Sequence, residues 1–409
     1  MSFTKFNLLS PLKEALKNNG YEVPTKVQEK VIPLVFNSVD ILARAQTGSG
    51  KTASFVLPIL NNWLNNMPLG KSKIKTLVLT PTRELTLQVA DTFNKFSSTF
   101  EKDIKVVSVI GGQSIGDQLL DIQKGCDVVV ATPGRLLDIL DKKQINLENL
   151  DFFVLDEADK MLDLGFEEEL EQILENLPKE RQNLLFSATY PVKMQKIAQR
   201  ITNNPVSIEI ENEEPTVDLI TQRAISVNLE NRSALLQKIL KENKFSKVLV
   251  FMANNRAADN IAAKFRKYGF KAESFHGNLE QEDRIYTLDE FKTSKIDILF
   301  SSDIASRGLH IDDISCVVNY DLPRSPADYI HRIGRTGRAG NKGLAISFIT
   351  LENEEHFKLI EKRSNIKLQR EEIEGFEIKG EAIPKAKGKE PVKGKRKSKK
   401  DKLREQGLK

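Results

Sequence analysis

Short runs of apolar residues alternate along the chain with longer segments in which apolar residues recur every three or four positions. The short runs do not alternate between apolar and polar positions, which is typical of strands buried on both faces of a parallel sheet. The longer segments have the periodicity of amphipathic helices. This order predicts an α/β fold, with parallel sheets flanked by helices.

The predicted strands fall into two series, which indicate two tandem domains. The first series comprises residues 41–43, 76–80, 106–110, 128–131, 152–155 and 184–187, and the second comprises 248–251, 272–275, 298–301, 317–320 and 345–348. Between them lies a polar, acidic segment that contains Pro215 and is typical of a linker. We therefore expect a first domain over residues 1–208, a linker over 209–217, a second domain over 218–370 and a tail over 371–409.

Charge is distributed unevenly along the chain. The 409 residues include 62 Lys and Arg and 57 Asp and Glu, a net charge of +5. Residues 379–409 hold 13 Lys and Arg against 4 Asp and Glu, so this segment carries +9 and the preceding 378 residues carry −4. Because the segment has almost no large apolar residue, we expect a disordered basic tail.

Composition also limits the class of protein. The longest apolar runs, such as 248–253, are far shorter than the roughly 18 residues that a membrane span needs. The charged and polar first 20 residues do not resemble a secretory signal. The two cysteines, Cys126 and Cys316, lie beside apolar runs and provide neither a disulfide framework nor a CxxC metal site. We expect a cytoplasmic protein.

A phosphate-binding loop, AQTGSGKT, follows the first predicted strand and precedes a helical segment. It misses the GxxxxGK[ST] pattern at one position, because Ala45 replaces the first glycine. Two glycines let backbone amides turn toward phosphates, Lys51 can reach the β and γ phosphates, and Thr52 can bind Mg²⁺. The order of strand, loop and helix disfavours an ordinary Gly-Ser loop. The predicted nucleotide-binding residues of the loop are Ala45, Gln46, Thr47, Gly48, Ser49, Gly50, Lys51 and Thr52.

An acidic pair, Asp156 and Glu157, follows the predicted strand 152–155. The carboxyl end of a strand is where an α/β sheet places its chemistry. Asp156 would hold Mg²⁺ through water, and Glu157 would orient and deprotonate an attacking water. The residues alone leave an alternative open, in which the acids only begin the next helix and interact with its dipole.

Residues 156–159 spell DEAD, and together with AQTGSGKT they make the chain resemble the DEAD-box RNA helicases. The resemblance extends over about residues 3–350, through further motifs in the family's order. It implies two RecA-like domains that hydrolyse ATP with Mg²⁺ and unwind short RNA duplexes locally. The short amino terminus and the short basic tail look similar to the bacterial RhlE-type group.

Upstream of the loop, a set of residues resembles the family's Q motif, which recognises adenine: Phe3 followed by Gly20, Tyr21, Pro24, Thr25 and Gln28. Gln28 can both donate to and accept from the adenine edge, and Phe3 or Tyr21 offers an aromatic face for stacking. With the phosphate loop, this motif predicts ATP over GTP. The residues assigned to adenine are Phe3, Tyr21, Thr25 and Gln28.

Further segments resemble the motifs with which the family grips RNA. Those in the first half end predicted strands, where glycines let phosphates approach backbone amides while Arg83 and Arg135 supply charge. A single such segment would be ordinary turn chemistry. The predicted RNA-binding residues are Pro81, Thr82, Arg83, Gly111, Gly112, Thr132, Pro133, Gly134, Arg135, His276, Gly277, Gln281, Arg284 and Ser302.

Two further motifs imply communication between the halves. HRIGRTGR at 331–338 matches the family's motif VI in full. It implies that Arg335 and Arg338 are arginine fingers that reach the γ phosphate in the transition state, rather than a solvated face or a plain RNA patch. The SAT sequence at 187–189 resembles the motif that links ATP state to RNA binding. The residues assigned to interdomain coupling are Asp159, Ser187, Thr189 and His331.

The segment 302–310 resembles motif V but departs from it. Ser302 replaces the usual threonine and keeps a hydroxyl, and His310 replaces an acid that the family uses for the ATP ribose. Asp303 and Gly308 carry over as predicted ATP-binding residues, and Arg307 also matches the motif.

The resemblance implies an ATP-dependent RNA helicase, with ATP and Mg²⁺ as cofactors and RNA as the partner. Recognition would involve sugar and phosphate, with 2′-hydroxyls distinguishing RNA from DNA. An ATP-gated RNA clamp or assembly platform is an alternative, and a metabolic P-loop kinase would not need motif VI. We expect a monomer acting in ribosome assembly or RNA decay. The basic tail would anchor RNA or serve solubility alone.

Overall fold

The computed structural model describes residues 2–45, 48–68, 70–190, 192–210, 220–302, 314–337 and 342–380. Within these ranges, no helix is both long enough and apolar enough to cross a membrane. The chain forms two seven-stranded parallel sheets with helices packed on them. This arrangement confirms the predicted fold class of two tandem α/β domains.

The first sheet is ordered β3-β4-β2-β5-β6-β1-β7. Its strands are β1 (Ile41–Arg44), β2 (Thr76–Leu79), β3 (Val106–Val109), β4 (Val128–Ala131), β5 (Phe152–Leu155), β6 (Gln182–Ser187) and β7 (Val206–Glu209). Its helices are α1 (Ser10–Asn18), α2 (Lys26–Phe36), α3 (Lys51–Asn65), α4 (Arg83–Ser97), α5 (Ile115–Gln123), α6 (Pro133–Asp141), α7 (Ala158–Asp163), α8 (Glu167–Glu175) and α9 (Val192–Ile201). Two apolar clusters form its core, one containing Val78 and Phe186 and the other Leu77 and Leu185. Neighbouring residues of one strand contribute to different clusters because side chains alternate between the faces of a sheet.

The second sheet is ordered β10-β11-β9-β12-β13-β8-β14. Its strands are β8 (Ile220–Ser226), β9 (Val248–Met252), β10 (Ala272–Phe275), β11 (Ile298–Ser302), β12 (Cys316–Asn319), β13 (Gly343–Ile349) and β14 (Arg370–Glu371). The helices described here are α10 (Arg232–Glu242), α11 (Asn255–Lys267), α12 (Gln281–Lys292), α13 (Pro326–Ile333) and α14 (Glu354–Ser364). Cys316 lies in the core of this sheet and Cys126 in that of the first, as expected for small hydrophobic residues.

The sequence analysis missed three strands, β7, β8 and β14. In β7, only Ile208 is buried, because the strand lies at the edge of its sheet. Strand β8 mixes polar residues with apolar ones, so no unbroken apolar run marks it in the sequence. Glu209, assigned to the linker, is the last residue of β7, and residues 211–217 lie outside the described part of the chain.

The structure corrects the predicted boundary between the second domain and the tail. Glu371 belongs to β14, which pairs with β8, and its carboxylate accepts hydrogen bonds from the Arg223 guanidinium at 2.6 and 2.9 Å. Ile373 and Phe376 pack against the core of the second domain. Because these contacts extend well beyond residue 370, the segment 371–380 belongs to the second domain and not to the tail.

Candidate nucleotide and nucleic-acid site

The predicted motifs gather at the carboxyl edges of the two sheets. All strands within each sheet run parallel, so the loops that follow them emerge on the same side. The motif segments that follow strands of the first sheet are 45–50, 81–83, 111–112, 132–135, 156–159 and 187–189. Parallel topology therefore places residues that are distant in sequence side by side.

The phosphate loop ends at the first turn of α3. Gly48 and Gly50 both have φ +89°, a left-handed conformation that glycine adopts readily. Lys51 begins the helix, is 6% exposed, and donates from Nζ to the carbonyl oxygen of Ala45 at 2.8 Å. The helix amino terminus and Lys51 thus face the loop, as phosphate binding requires. Gln46 and Thr47 lie outside the described residues.

Gln28 of the Q motif contacts the phosphate loop directly. Thr25 caps α2, and the Thr25 amide donates to Gln28 Oε1 at 2.9 Å. Gln28 Nε2 donates to the Gly50 carbonyl oxygen at 3.2 Å. A Cβ on Gly50 would lie only 2.6 Å from Gln28 Nε2. One hydrogen bond therefore links the predicted adenine-binding segment to the predicted phosphate-binding loop.

The two aromatic candidates for adenine stacking differ in exposure. Phe3 is 4% exposed, and its ring centre lies 5.9 Å from that of Phe6 and 6.5 Å from that of Tyr21. Tyr21 is only partly buried and makes an edge contact with Phe96 at 5.1 Å. Phe3 thus packs in the core, whereas Tyr21 is partly exposed, with Lys95 Nζ 5.4 Å from its ring centre.

The acidic pair follows β5 and is almost fully buried, with Asp156 2% and Glu157 3% exposed. The Glu157 amide donates to Asp156 Oδ1 at 2.9 Å, and Glu157 Oε1 pairs with Lys160 Nζ at 2.7 Å. Glu157 occupies the N-cap position of α7 at φ +51° without a side-chain cap hydrogen bond. Its carboxylate therefore pairs with a buried cation and does not cap the helix.

Charge and burial set the ionisation of this pair. Burial raises the pKa of Asp156 above its ordinary value, against the opposing charge of Lys51. Burial also acts to raise the pKa of Glu157, but the positive charges of Lys160 and Lys51 outweigh it and hold that pKa below its usual range. Sequence reasoning missed Lys160, although a lysine three residues after an acid on a predicted helix is a recognisable pairing signal.

Asp159 joins the acidic segment to the end of β6. Asp159 Oδ2 accepts hydrogen bonds from the amide and the hydroxyl of Thr189, both at 2.9 Å. The Asp159 amide donates to Ser187 Oγ at 3.3 Å, and that hydroxyl donates to the Thr189 carbonyl oxygen at 2.6 Å. Three of the four residues assigned to coupling, Asp159, Ser187 and Thr189, thus form one hydrogen-bonded unit.

Residues of the second half face this acidic site. Arg335 is 6% exposed, and its charge contributes to the lowered pKa of Glu157. Desolvation and the charges of Lys160 and Arg335 lower the pKa of His331. Arg335 acts on Glu157 of the first half and Lys160 of the first half acts on His331, so the two halves lie close together here. The other predicted residues of this region, Asp303, Arg307, Gly308, His310 and Arg338, lie outside the described part of the chain.

Arg83 lies against the two glycines of the predicted RNA surface. A Cβ on Gly112 would lie 2.4 Å from Arg83 Nη1, and one on Gly111 would lie 3.1 Å from Nη2. Arg83 Nη1 also donates to Gln281 Oε1 of the second half at 3.3 Å. Burial lowers the pKa of Arg83, as does the charge of Arg284. The glycines thus make room for an arginine at the junction of the halves.

A buried ion pair joins the halves beside this contact. Arg284 Nε donates to Glu84 Oε1 at 2.7 Å, and neither side chain is more than 9% exposed. Arg284 Nη1 donates to the His276 carbonyl oxygen at 2.8 Å, and the guanidinium lies 4.7 Å from the centre of the Phe275 ring. Sequence reasoning missed Glu84, whose partner is 200 residues away and could not be deduced from spacing.

The remaining predicted RNA residues lie in the turns around these contacts. Thr132 and Pro133 begin α6, and Arg135 Nη1 donates to the Gln113 carbonyl oxygen at 3.1 Å. Ser302, at the end of β11, donates to Asn255 Oδ1 at 2.9 Å. The others of this set with described positions are Pro81, Thr82, Gly134 and Gly277. Of these, Thr82 caps α4.

The fold and the site define a P-loop ATPase of two RecA-like domains, with motif residues of both domains at one junction. Two family models match the chain: DEAD/DEAH box helicase over residues 25–197 and helicase conserved C-terminal domain over residues 231–340. The chain belongs to the DEAD-box family of ATP-dependent RNA helicases. It is therefore an ATP-hydrolysing enzyme, and RNA is its partner.

Bacterial relatives align along most of the chain. The DEAD-box ATP-dependent RNA helicase CshA of Bacillus subtilis is 38% identical over 370 residues, covering 90% of this chain and 74% of that protein. The DEAD-box ATP-dependent RNA helicase RhpA of Helicobacter pylori is 40% identical over 380 residues, covering 92% of this chain and 74% of that protein. Assignment to the RhlE-type group stays a prediction.

Solved structures of both domains superpose on the chain. Dbp5 of S. cerevisiae bound to RNA and ADP BeF3 has a TM-score of 0.79 and 30% identity, covering 91% of this chain and 95% of that chain. Mss116p bound to ssRNA and AMP-PNP has a TM-score of 0.80 and 30% identity, covering 90% of this chain and 78% of that chain. The likeness extends through both sheets and confirms the tandem RecA-like architecture.

Proposed function

We propose that ATP is hydrolysed at the junction of the two domains and that RNA binding completes this junction. The observation that carries the proposal is the buried Glu157–Lys160 pair, on which Arg335 of the second domain acts electrostatically. The base and the stabilising cation come from different domains. Hydrolysis would therefore depend on domain closure.

In the first domain, Lys51 and the amides of the phosphate loop would bind the β and γ phosphates. Lys51 is held by the Ala45 carbonyl oxygen, a neutral partner that an anionic phosphate would outcompete. Arg335, with Arg338, would stabilise charge that develops on the γ phosphate. Tyr21, Thr25 and Gln28 would recognise the adenine. The other residues of the loop and of motif V that would contact ATP are Gln46, Thr47, Gly48, Ser49, Gly50, Asp303 and Gly308.

Mg²⁺ fits the donor set between the phosphate loop and β5. Thr52 offers a hydroxyl and Asp156 a carboxylate, both hard oxygen ligands. Burial raises the pKa of Asp156, and a cation beside it would offset the cost of that buried charge. Within the described residues, no group of three or more His, Cys, Asp or Glu could hold a metal alone. An ion bound here would share its coordination with nucleotide phosphates and neutralise their charge.

Glu157 would accept the proton of the attacking water. Its carboxylate is kept ionised by Lys160 and Lys51, so it can act as an acceptor. The bond between Glu157 Oε1 and Lys160 Nζ fixes the carboxylate in one direction. Asp159 and Thr189 would transmit the state of this site toward the RNA surface.

The RNA surface would bind sugar and phosphate rather than base edges. Arg83 and Arg135 supply charge, and the exposed Gly112 allows close approach of a backbone. Closure over one strand would bend it and separate a short duplex locally. Ribosome assembly or RNA decay, and a cytoplasmic location, stay predictions.

Glu157→Gln tests the assignment of the base. We expect ATP and RNA to bind with unchanged affinity while kcat for hydrolysis falls about 10²–10⁴-fold, the usual contribution of general base catalysis. The matched control is Glu168→Gln on the exposed surface of α8, which should keep the parent rate. Hydrolysis by Glu157→Gln at the parent rate would remove Glu157 from the mechanism.

A strand-displacement assay with a short RNA duplex separates a helicase from an RNA clamp. We expect ATP to accelerate release of the shorter strand. Stable ATP-dependent binding without release would instead favour the clamp.

A further inference from the structure

An acidic groove lies between the two domains, beside the predicted RNA surface. Its volume is about 770 Å³, and it is lined by β3 and α5 of the first domain and by the start of α12. Four exposed acids line it: Asp117, Asp121, Glu280 and Glu282. No described Lys or Arg is among the lining residues.

One residue that lines the groove carries a buried hydrogen-bond donor without a partner among the described residues. Gln281 lines it and is only 3% exposed. Gln281 Oε1 accepts from Arg83, whereas Gln281 Nε2 has no hydrogen-bond partner among the described residues. Because a buried amide donor without an acceptor is unfavourable, the groove is suited to a ligand that supplies a carbonyl oxygen.

The charge of the groove disfavours RNA as this ligand. Of the nearby cations, Lys124 pairs with Asp121 at 2.9 Å and Arg284 pairs with Glu84, whereas Arg83 keeps its charge because it donates to the neutral Gln281 amide. Asp117, Glu280 and Glu282 leave the lining of the groove with an excess of negative charge, which would repel phosphates. A positively charged peptide satisfies both requirements, since its side chains neutralise the acids and its main chain offers carbonyl oxygens.

We propose that this groove binds the basic segment 393–400 of the same chain. Residues 381–409 contain 12 Lys and Arg against 4 Asp and Glu. Within them, 393–400 (KGKRKSKK) holds six basic residues and no acidic one. Its charge is opposite to that of the four groove acids, and its main-chain carbonyls can accept from Gln281 Nε2.

The attachment point of the tail allows this contact. The Lys379 amide donates to Asn228 Oδ1 at 2.8 Å, and Asn228 Nδ2 donates to the Lys379 carbonyl oxygen at 2.8 Å, which fixes the chain beside β8. β14 and β10 lie at opposite edges of the second sheet, so about six strand spacings of about 4.8 Å, or about 29 Å, separate them. Residues 381–392 span up to about 40 Å when extended, and so 393–400 can reach Glu280.

The docked segment regulates RNA binding. It contacts both domains at once and offsets the repulsion between Asp117 and Asp121 on one side and Glu280 and Glu282 on the other. Tethering within one chain gives the segment a high effective concentration at the groove. RNA competes for the same lysines, so RNA binding releases the tail from the groove.

Zero-length carbodiimide cross-linking of the full chain tests this proposal, because it joins a lysine only to a carboxylate in contact with it. At about 50 mM salt without RNA, we expect cross-links from lysines of 393–400 to Glu280, Glu282, Asp117 or Asp121. Mixing isotopically labelled and unlabelled protein identifies cross-links within one chain. Single-stranded RNA, or about 0.5 M salt, should reduce these cross-links at least threefold, since screening weakens contacts between exposed charges.

Paired variants separate groove binding from general charge attraction. Asp117→Asn with Asp121→Asn should lower the cross-links to Glu280 and Glu282 at least threefold. The control, Glu168→Gln with Glu175→Gln, removes the same charge from exposed positions of α8. It should leave the yield of cross-links to Glu280 and Glu282 unchanged. The proposal is overturned by tail cross-links only to other surfaces or only between molecules. The proposal would also be overturned if the groove variant and the α8 control gave equal yields of cross-links to Glu280 and Glu282. Ultraviolet cross-linking of RNA to residues 117–121 would overturn it as well.

Discussion

Gly112 shows how the absence of one side chain shapes the predicted RNA surface. Its φ of +80° and the 2.4 Å separation between a hypothetical Cβ and Arg83 Nη1 both exclude a larger residue without rearrangement. Gly112→Ala should therefore displace Arg83 from Gln281. RNA affinity should fall about tenfold, since a hydrogen bond from a charged group contributes about 1.5–3 kcal/mol.

The measurement is RNA binding by fluorescence anisotropy, in the presence of a non-hydrolysable ATP analogue. Gly70→Ala is the matched control, because a Cβ there meets no atom within 4 Å. Equal RNA affinity in the two variants would show that the position of Arg83 does not affect RNA binding.

Residues that belong to a short motif could be assigned from the sequence, whereas their partners could not. Lys51, Asp156 and Glu157 follow from the phosphate loop and the acidic end of a strand. The contact between Gln28 and Gly50 and the pair between Glu84 and Arg284 depend on how the chain folds back on itself. Residue spacing carries no information about such long-range contacts.

At the scale of elements, segment 371–380 closes the second sheet. Its contacts include the bonds between Arg223 and Glu371 and the packing of Ile373 and Phe376 against the core. A chain ending at residue 380 should keep the parent Tm. In a chain ending at residue 370, the free energy of unfolding should fall by about 2 kcal/mol or more, because apolar surface of the core is left uncovered.

Thermal unfolding followed by circular dichroism measures this difference. We expect the shorter chain to melt about 4 °C or more below the longer one, given the size of the second domain. Identical melting temperatures would restore the tail boundary predicted from sequence.

The sequence predicted the strands that are buried on both faces of a sheet, and it missed strands at or near the edges of the sheets. β4 and β5 are buried on both faces and appear in the sequence as unbroken apolar runs. β14 has only two residues, and its pairing depends on β8, which is far away in sequence. Residues 371–378 were placed with the tail because the last strand predicted from the sequence is 345–348.

At the scale of the whole molecule, the Glu84–Arg284 pair links the two domains. Removing either partner leaves the other charge buried, which costs about 2–5 kcal/mol. Glu84→Gln and Arg284→Ala should each lower RNA-stimulated hydrolysis. In the double variant, the loss of RNA-stimulated hydrolysis, expressed as a free energy, should be smaller than the sum of the losses in the two single variants.

A double-mutant cycle on kcat/KM for RNA in the ATPase assay measures this coupling. The exposed pair of Lys75 and Asp151, within the first domain, is the control and should give about 0–1 kcal/mol of coupling in a cycle on stability. Additive effects at Glu84 and Arg284 would mean that the pair does not contribute to closure.

Arg335→Ala tests most directly whether the ATPase site is completed across the two domains. With saturating RNA, kcat should fall about 10³-fold or more, the effect of losing an arginine finger, while the Kd for ATP stays near that of the parent. Arg363→Ala, an exposed arginine on α14, should keep the parent kcat. RNA-stimulated hydrolysis by Arg335→Ala at the parent rate would contradict the account.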